Sequence, residues 1–293
     1  MPSVLYELRT KGLRGAMSRA TELVARYGLG STRMCANIVS YVRLLEDFGA
    51  RPTFPVTANV VVSHPDIFRE LRDQCEFAVH GWVHDDYREI PSAVRLDHLA
   101  AARACFRSIG IERPGFRAPY LGADRHLISD VQRSGFAYDS SESVFWPVVE
   151  RTDPVELALI AYGSRTRPEG AQPRLERGMP LFPTSLPDDE LLIDRIGVRD
   201  PKQMADVWVR IVDLCLSHGV PCVLDFHPER LALWSKAMRT LLEWVSSKDP
   251  PVELLLMREL AERFARGERP RAVCVTGDID VLELLDAVRR PAP

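Results

Sequence analysis

Short apolar runs alternate with amphipathic helical stretches along most of this chain, and that alternation limits the fold more than any other feature. Residues 53–61 read as a strand, 64–74 as a helix, 76–80 as a strand and 92–109 as a long amphipathic helix. The pattern continues with an extended 115–119, a helix over 125–134 that stops at Gly135, and a strand at 136–139. It resumes with a helix at 202–217, a strand at 222–227, a helix at 231–245, a short strand at 252–256 and a helix at 259–266. A strand at 272–276 and a helix over 281–289 complete it. Strands separated by helices pair in parallel. About seven such units predict an α/β fold of the distorted (β/α)7-type barrel, whose chemistry belongs at the C-terminal ends of the strands.

Two regions depart from this rhythm. The first fifty residues read as helical, with apolar residues at three- and four-residue spacing over 20–26 and 34–48. Residues 141–200 are rich in proline and poor in periodicity, and they include the loop-like Ser185-Leu186-Pro187-Asp188-Asp189. A structureless connection of that length is unusual, so the expectation is a single domain over 1–293 with 141–200 an irregular insertion shaping a cleft.

Composition excludes several classes. A net charge of −3 and a dispersed arginine complement give no footprint for nucleic acid. No run approaches the roughly 20 apolar residues of a membrane span. The six scattered cysteines form no C-x-x-C pair, which reads as reduced thiols rather than a disulfide framework. With no apolar run of signal length at the start, the expected location is cytoplasmic.

Three short constellations carry chemistry. His80-Gly81-Trp82-Val83-His84 places two imidazoles just beyond a strand, where both could bind one divalent metal. Asp85 and Asp86 follow and could support them. Alone, the pair is equally a chance pair of core or surface histidines. Gly115-Phe116-Arg117-Ala118-Pro119-Tyr120 sets an arginine where it could orient a carboxylate and an X-Pro step that could aim an N–H inward. The alternative is a structural arginine at a turn. Leu224-Asp225-Phe226-His227-Pro228 brings a histidine out of a buried strand as an acid or base near neutral pH, or as a satisfied strand-end residue.

Taken in order, HGWVH, FRAPY and LDFH resemble the metal-binding, arginine-bearing and C-terminal histidine motifs of the polysaccharide deacetylases, the NodB-like group of carbohydrate esterase family four. Arg51-Pro52-Thr53-Phe54 and Gly135-Phe136-Ala137-Tyr138-Asp139-Ser140-Ser141 match that family's style as well. The resemblance spans about residues 32–260. The family opens with a T-F-D-D-G-like strand end that supplies the base and a metal carboxylate. This chain has Tyr27-Gly28-Leu29-Gly30-Ser31 in that place, with no carboxylate. Thr276-Gly277-Asp278-Ile279-Asp280, at the end of the last apolar strand, is similar to the missing motif. In a closed barrel the first and last strands are neighbours, so the expectation is a circular permutation. The final strand then occupies the family's first-strand position. Otherwise Asp278 or Asp280 caps the following helix, and one aspartate could serve both purposes.

The resemblance implies removal of an acetyl group from an N-acetylated sugar substrate. His80, His84 and Asp280 would hold a divalent metal, zinc first, and Asp278 would be the base, oriented by Arg117. The N–H of Tyr120 would stabilise the oxyanion, and His227 would be the acid, with Asp139 as its partner. Two other readings remain at this point: a non-catalytic member that binds glycan or a partner protein, and a hydrolase of a cyclic or other non-sugar amide.

Overall fold

A computed structural model describes residues 30–283 and Asp286. The expected helix at 20–26, and residues 284, 285 and 287–289 of that expected at 281–289, lie outside the described residues. Helix α1 (Thr32–Glu46) precedes β1 (Thr53–Val56), α2 (Ala58–Ser63), α3 (Pro65–Leu71) and β2 (Glu76–Val79). Next come α4 (Ser92–Ser108), α5 (Arg125–Arg133), β3 (Ser143–Phe145), α6 (Asp153–Tyr162), β4 (Arg174–Glu176), β5 (Met179–Leu181) and β6 (Thr184–Leu186). The chain then alternates through α7 (Pro201–Ser217), β7 (Cys222–Asp225), α8 (Leu231–Ser246), β8 (Glu253–Leu254), α9 (Met257–Ala265) and β9 (Ala272–Thr276).

Strand pairing runs β2-β1-β9-β7-β6-β3, with β8 beside β9, and every pair in it is parallel. Single parallel bridges from Val79 to Phe116, Phe116 to Asp139 and Asp139 to Leu181 join β2 to the segment that leads into β6, closing the barrel. The barrel strands β1, β2, β7 and β9 are buried at every residue. Such strands are covered by helices outside and packed side chains inside, hence their mainly apolar sequence, with the buried polar residues Thr53, Glu76, Asp225 and Thr276 at their ends. Among the described residues no helix is long and apolar enough to cross a membrane.

The last strand lies inside the barrel wall. Asp225 of β7 registers with Thr276, and Thr53 of β1 with the same residue from the other side. Helix α1 locks this junction: the buried Tyr41 packs edge-on against Phe54 and Trp234 and donates its hydroxyl to the Thr276 carbonyl at 2.8 Å. Gly277 leaves no room for a side chain, since a Cβ there would meet the Phe226 carbonyl at 2.9 Å and the Tyr41 ring at 2.8 Å.

Two sequence expectations need correction. The run 53–61 is not one strand, because the chain turns at Thr57 and residues 58–63 are helical. The Ala58 and Asn59 N–H groups bond to the Gly81 and Trp82 carbonyls, and Val60 and Val61 are buried. Tertiary burial here overrides the strand preference of β-branched residues. The stretch 141–200, expected to be irregular, contains β3 and β6 of the main sheet together with α6 and the antiparallel β4–β5 pair. Its three-residue strands are too short to show a period.

Candidate active site

Beyond Thr276 the chain continues alongside β1, with Gly277 N–H bonded to the Thr53 carbonyl and Ile279 N–H to that of Pro55. Extended backbone alternates its side chains. Ile279 therefore enters the core while Asp278 and Asp280 share the opposite side. On the other flank of β1, Gly81 turns the chain after β2 with φ +80°, a conformation that favours glycine. That turn returns His84 toward His80, with ring centroids 5.2 Å apart.

The four side chains converge. His80 Nε2 lies 3.5 Å from Asp278 Oδ2 and 3.6 Å from Asp280 Oδ1, and His84 Nε2 lies 3.4 Å from the same Asp280 oxygen. One ligand atom from each of His80, His84 and Asp280 fits within 4.8 Å of the others. Asp280 Oδ1 is buried without a hydrogen-bond partner, an arrangement that is costly unless a cation sits against it. The His80 Nδ1–H donates to the Arg117 carbonyl at 2.9 Å, so Nε2 carries the free lone pair, as metal-binding histidines require. Burial lowers the His80 pKa to about 3, which keeps the ring neutral. Two imidazoles and a carboxylate suit a divalent cation such as zinc. Asp86 is not part of the set, being clamped bidentately by Arg88.

Arg117 is fully buried, and its Nη1 donates to Asp225 Oδ1 at 2.7 Å, Thr276 Oγ1 at 2.8 Å and Asp278 Oδ1 at 2.9 Å. Asp278 thus gives one oxygen to Arg117 and turns the other toward His80. Burial lifts its pKa above the ordinary carboxylate value against the pull of Arg117. The neighbouring turn at Pro119–Leu121 holds Tyr120 at φ 59°, with its ring 4.5 Å from that of His84.

His227 lies just past β7. Its Nδ1 is 2.6 Å from Asp189 Oδ1, and its backbone N–H reaches Asp189 Oδ2 at 3.1 Å. Burial opposes a charged imidazole, but the Asp189 carboxylate outweighs it and holds the His227 pKa well above the usual range. This corrects the expected partner, Asp139. The carboxylate of Asp139 instead accepts from the Ser141 N–H at 2.9 Å and its hydroxyl at 2.8 Å, and Ser141 Oγ accepts the Ala118 N–H at 2.8 Å. Asp139 therefore braces the turn that carries Arg117 and Tyr120. Asp189 and Asp225 escape a motif reading. Asp225 had a signal, since it stands two residues before His227 on an alternating strand; Asp189 had only its place in a loop.

The polysaccharide deacetylase family model matches residues 33–138. Residues 33–138 of this chain are thus similar to the polysaccharide deacetylases. The peptidoglycan deacetylase-like protein FGM2 of Gibberella zeae is 33% identical over 92 residues, a match spanning 31% of this chain and 25% of that relative. Among solved structures, a Mycobacterium smegmatis protein described as a polysaccharide deacetylase aligns over 90% of this chain and 87% of its own, with 18% identity and a TM-score of 0.61. A Pseudomonas aeruginosa PAO1 protein described in the same terms aligns over 87% and 78%, with 16% identity and a TM-score of 0.64. PuuE allantoinase shares the fold at 16% identity over 80% and 71%, with a TM-score of 0.58. The stretch matched by the family model includes His80, His84, Arg117 and Tyr120. Asp189, Asp225, His227, Asp278 and Asp280 all come from beyond it.

Proposed function

We propose that this protein is a metal-dependent hydrolase that removes the N-acetyl group of an amino sugar, with β9 filling the place of the family's first strand in a circularly permuted barrel. The observation that carries this reading is the meeting of Asp278 and Asp280 with His80 and His84 across β1. It supplies the two carboxylates that Tyr27-Gly28-Leu29-Gly30-Ser31, in the place of the family's first motif, does not, and so speaks against a binding-only member. The fold is shared with an allantoinase, so fold alone does not choose the amide; the sugar reading rests on the family match.

Acetamide hydrolysis needs a base for water, a donor for the oxyanion and a proton for the leaving amine. His80, His84 and Asp280 would hold the cation. When bound, a divalent ion polarises an acyl oxygen and acidifies water. Asp278 takes the proton from the attacking water through its Oδ2, while Arg117 fixes Oδ1. The Tyr120 N–H faces the developing oxyanion, a contribution typically worth about 10²–10³ in rate. His227, with Nδ1–H held by Asp189, presents Nε2 to the leaving nitrogen and donates its proton. Acetate release from N-acetylglucosamine oligomers by zinc-loaded protein tests the reading. Turnover that chelator abolishes and zinc restores supports it; no release from any N-acetyl amino sugar overturns it.

The acid step has a pH signature. His227 must be protonated to act, and its raised pKa keeps it so past neutrality, placing the alkaline limb of kcat/KM above the ordinary histidine value. Asp189→Asn removes the raising charge, and an adjacent opposite charge is worth about 1–3 units. The alkaline limb is expected to move to lower pH by about that amount, with the acidic limb unmoved. A pH–rate profile of the variant checks this, and an unshifted alkaline limb excludes Asp189 from the role.

A further inference from the structure

The chain spends a second buried carboxylate on the arginine that orients the proposed base. Asp225 is 2% exposed, and its Oδ1 accepts from Arg117 Nη1 at 2.7 Å and from Thr276 Oγ1 at 2.9 Å. Thr276 is fixed in turn, because its hydroxyl also lies 2.8 Å from the Leu224 carbonyl and 2.8 Å from Arg117 Nη1. These contacts follow from register: Asp225 and Thr276 are Cα partners across β7 and β9, and Asp278 lies two residues further along. Arg117 Nε is held separately by Ser140 Oγ at 3.1 Å. The guanidinium is therefore held from two directions before it meets Asp278.

A buried arginine and a buried aspartate could exist for stability alone, but this placement is more specific. A pair serving only to neutralise charge needs one carboxylate, and Asp278 already lies 2.9 Å from the same nitrogen. With Asp225 also on Nη1, rotation of the guanidinium away from Asp278 would break two further contacts. Asp278 is left with Oδ1 engaged and Oδ2 turned toward His80. We propose that Asp225, seated by Thr276, is a positioning residue: it fixes Arg117 so that Asp278 keeps one oxygen aimed at the metal side of the cleft. Asp225 acts through Arg117 and touches no reacting atom. The inference rests on the hydrolase reading for its kinetic consequence, although its structural consequence stands apart from it.

The test compares wild type with Asp225→Asn, Arg117→Met and the double variant, all as full-length zinc-loaded protein. The probe is an N-acetylglucosamine tetramer. Removal of a supporting partner typically costs about 10–100-fold. Asp225→Asn should lower kcat by that factor, with KM and zinc affinity within about twofold. Because Asp225 works through Arg117, adding Asp225→Asn to Arg117→Met should cause little further loss, as expected for residues acting as one unit. Additive losses, or a fall in melting temperature with kcat unchanged, would overturn the proposal. Asparagine keeps the size and one acceptor oxygen, so the variant is suited to folding where Asp225→Ala would not be. A crystal structure of Asp225→Asn gives a second readout that needs no turnover. Arg117 swung away from Asp278 supports the positioning role, and Arg117 in place contradicts it. A wild type inert on every N-acetyl amino sugar defeats the hydrolase reading while leaving this structural readout decisive.

Discussion

Asp278→Asn is expected to reduce kcat by about 10²–10⁴-fold, the usual range for loss of a general base, while the protein stays folded and still takes up zinc. Asparagine matches aspartate in size and keeps an oxygen for the 2.9 Å contact from Arg117, so the core around it is undisturbed. What it lacks is a group able to accept the proton of the attacking water. The metal set of His80, His84 and Asp280 is left intact. Acetate release and zinc titration on the same preparation separate the two effects. Near-normal turnover in this variant would remove Asp278 from the mechanism.

Deletion of residues 270–293 is expected to abolish the cooperative unfolding transition altogether. The missing piece includes β9, whose five residues are all buried between β1 and β7. Without it two interior strands become edges, and Tyr41 loses the Thr276 carbonyl that its buried hydroxyl bonds. An unpaired buried polar group adds its own penalty of about 1–3 kcal/mol. Circular dichroism during thermal melting, with zinc uptake measured in parallel, checks the outcome. A shortened protein that melts cooperatively and retains metal would contradict both the permutation and the proposed metal set.

Much of the architecture was legible because burial on both faces writes mainly apolar runs. The strands at 76–80, 222–227 and 272–276 and the helices at 92–109 and 202–217 all stand within a few residues of their expected bounds. The valine-rich 58–63 misled because its helix is imposed by packing rather than by local preference. The extended segments at 116 and 139 make only single bridges, and they count as barrel wall because of their neighbours. The site was legible where a strand end carried its residues in tight spacing, as at His80 and His84 or Asp278 and Asp280. It was hidden where a partner arrives from a distant loop. Asp189 lies 38 residues from His227 in a proline-rich stretch with no period, and no local pattern announces that contact. Asp139 looked like the partner by its place in a motif, yet its carboxylate is spent on Ser141.

The most direct measurement of the central claim is the zinc affinity of wild type against Asp280→Ala, by equilibrium titration against a competing chelator. If the tail of the chain completes a metal centre with His80 and His84, wild type binds one zinc per chain. The variant should then bind at least about 10²-fold more weakly, because even outer partners of metal ligands are typically worth 10–100-fold. Equal affinity in the two proteins would show that Asp280 is no ligand, and the account of the site would fail with it.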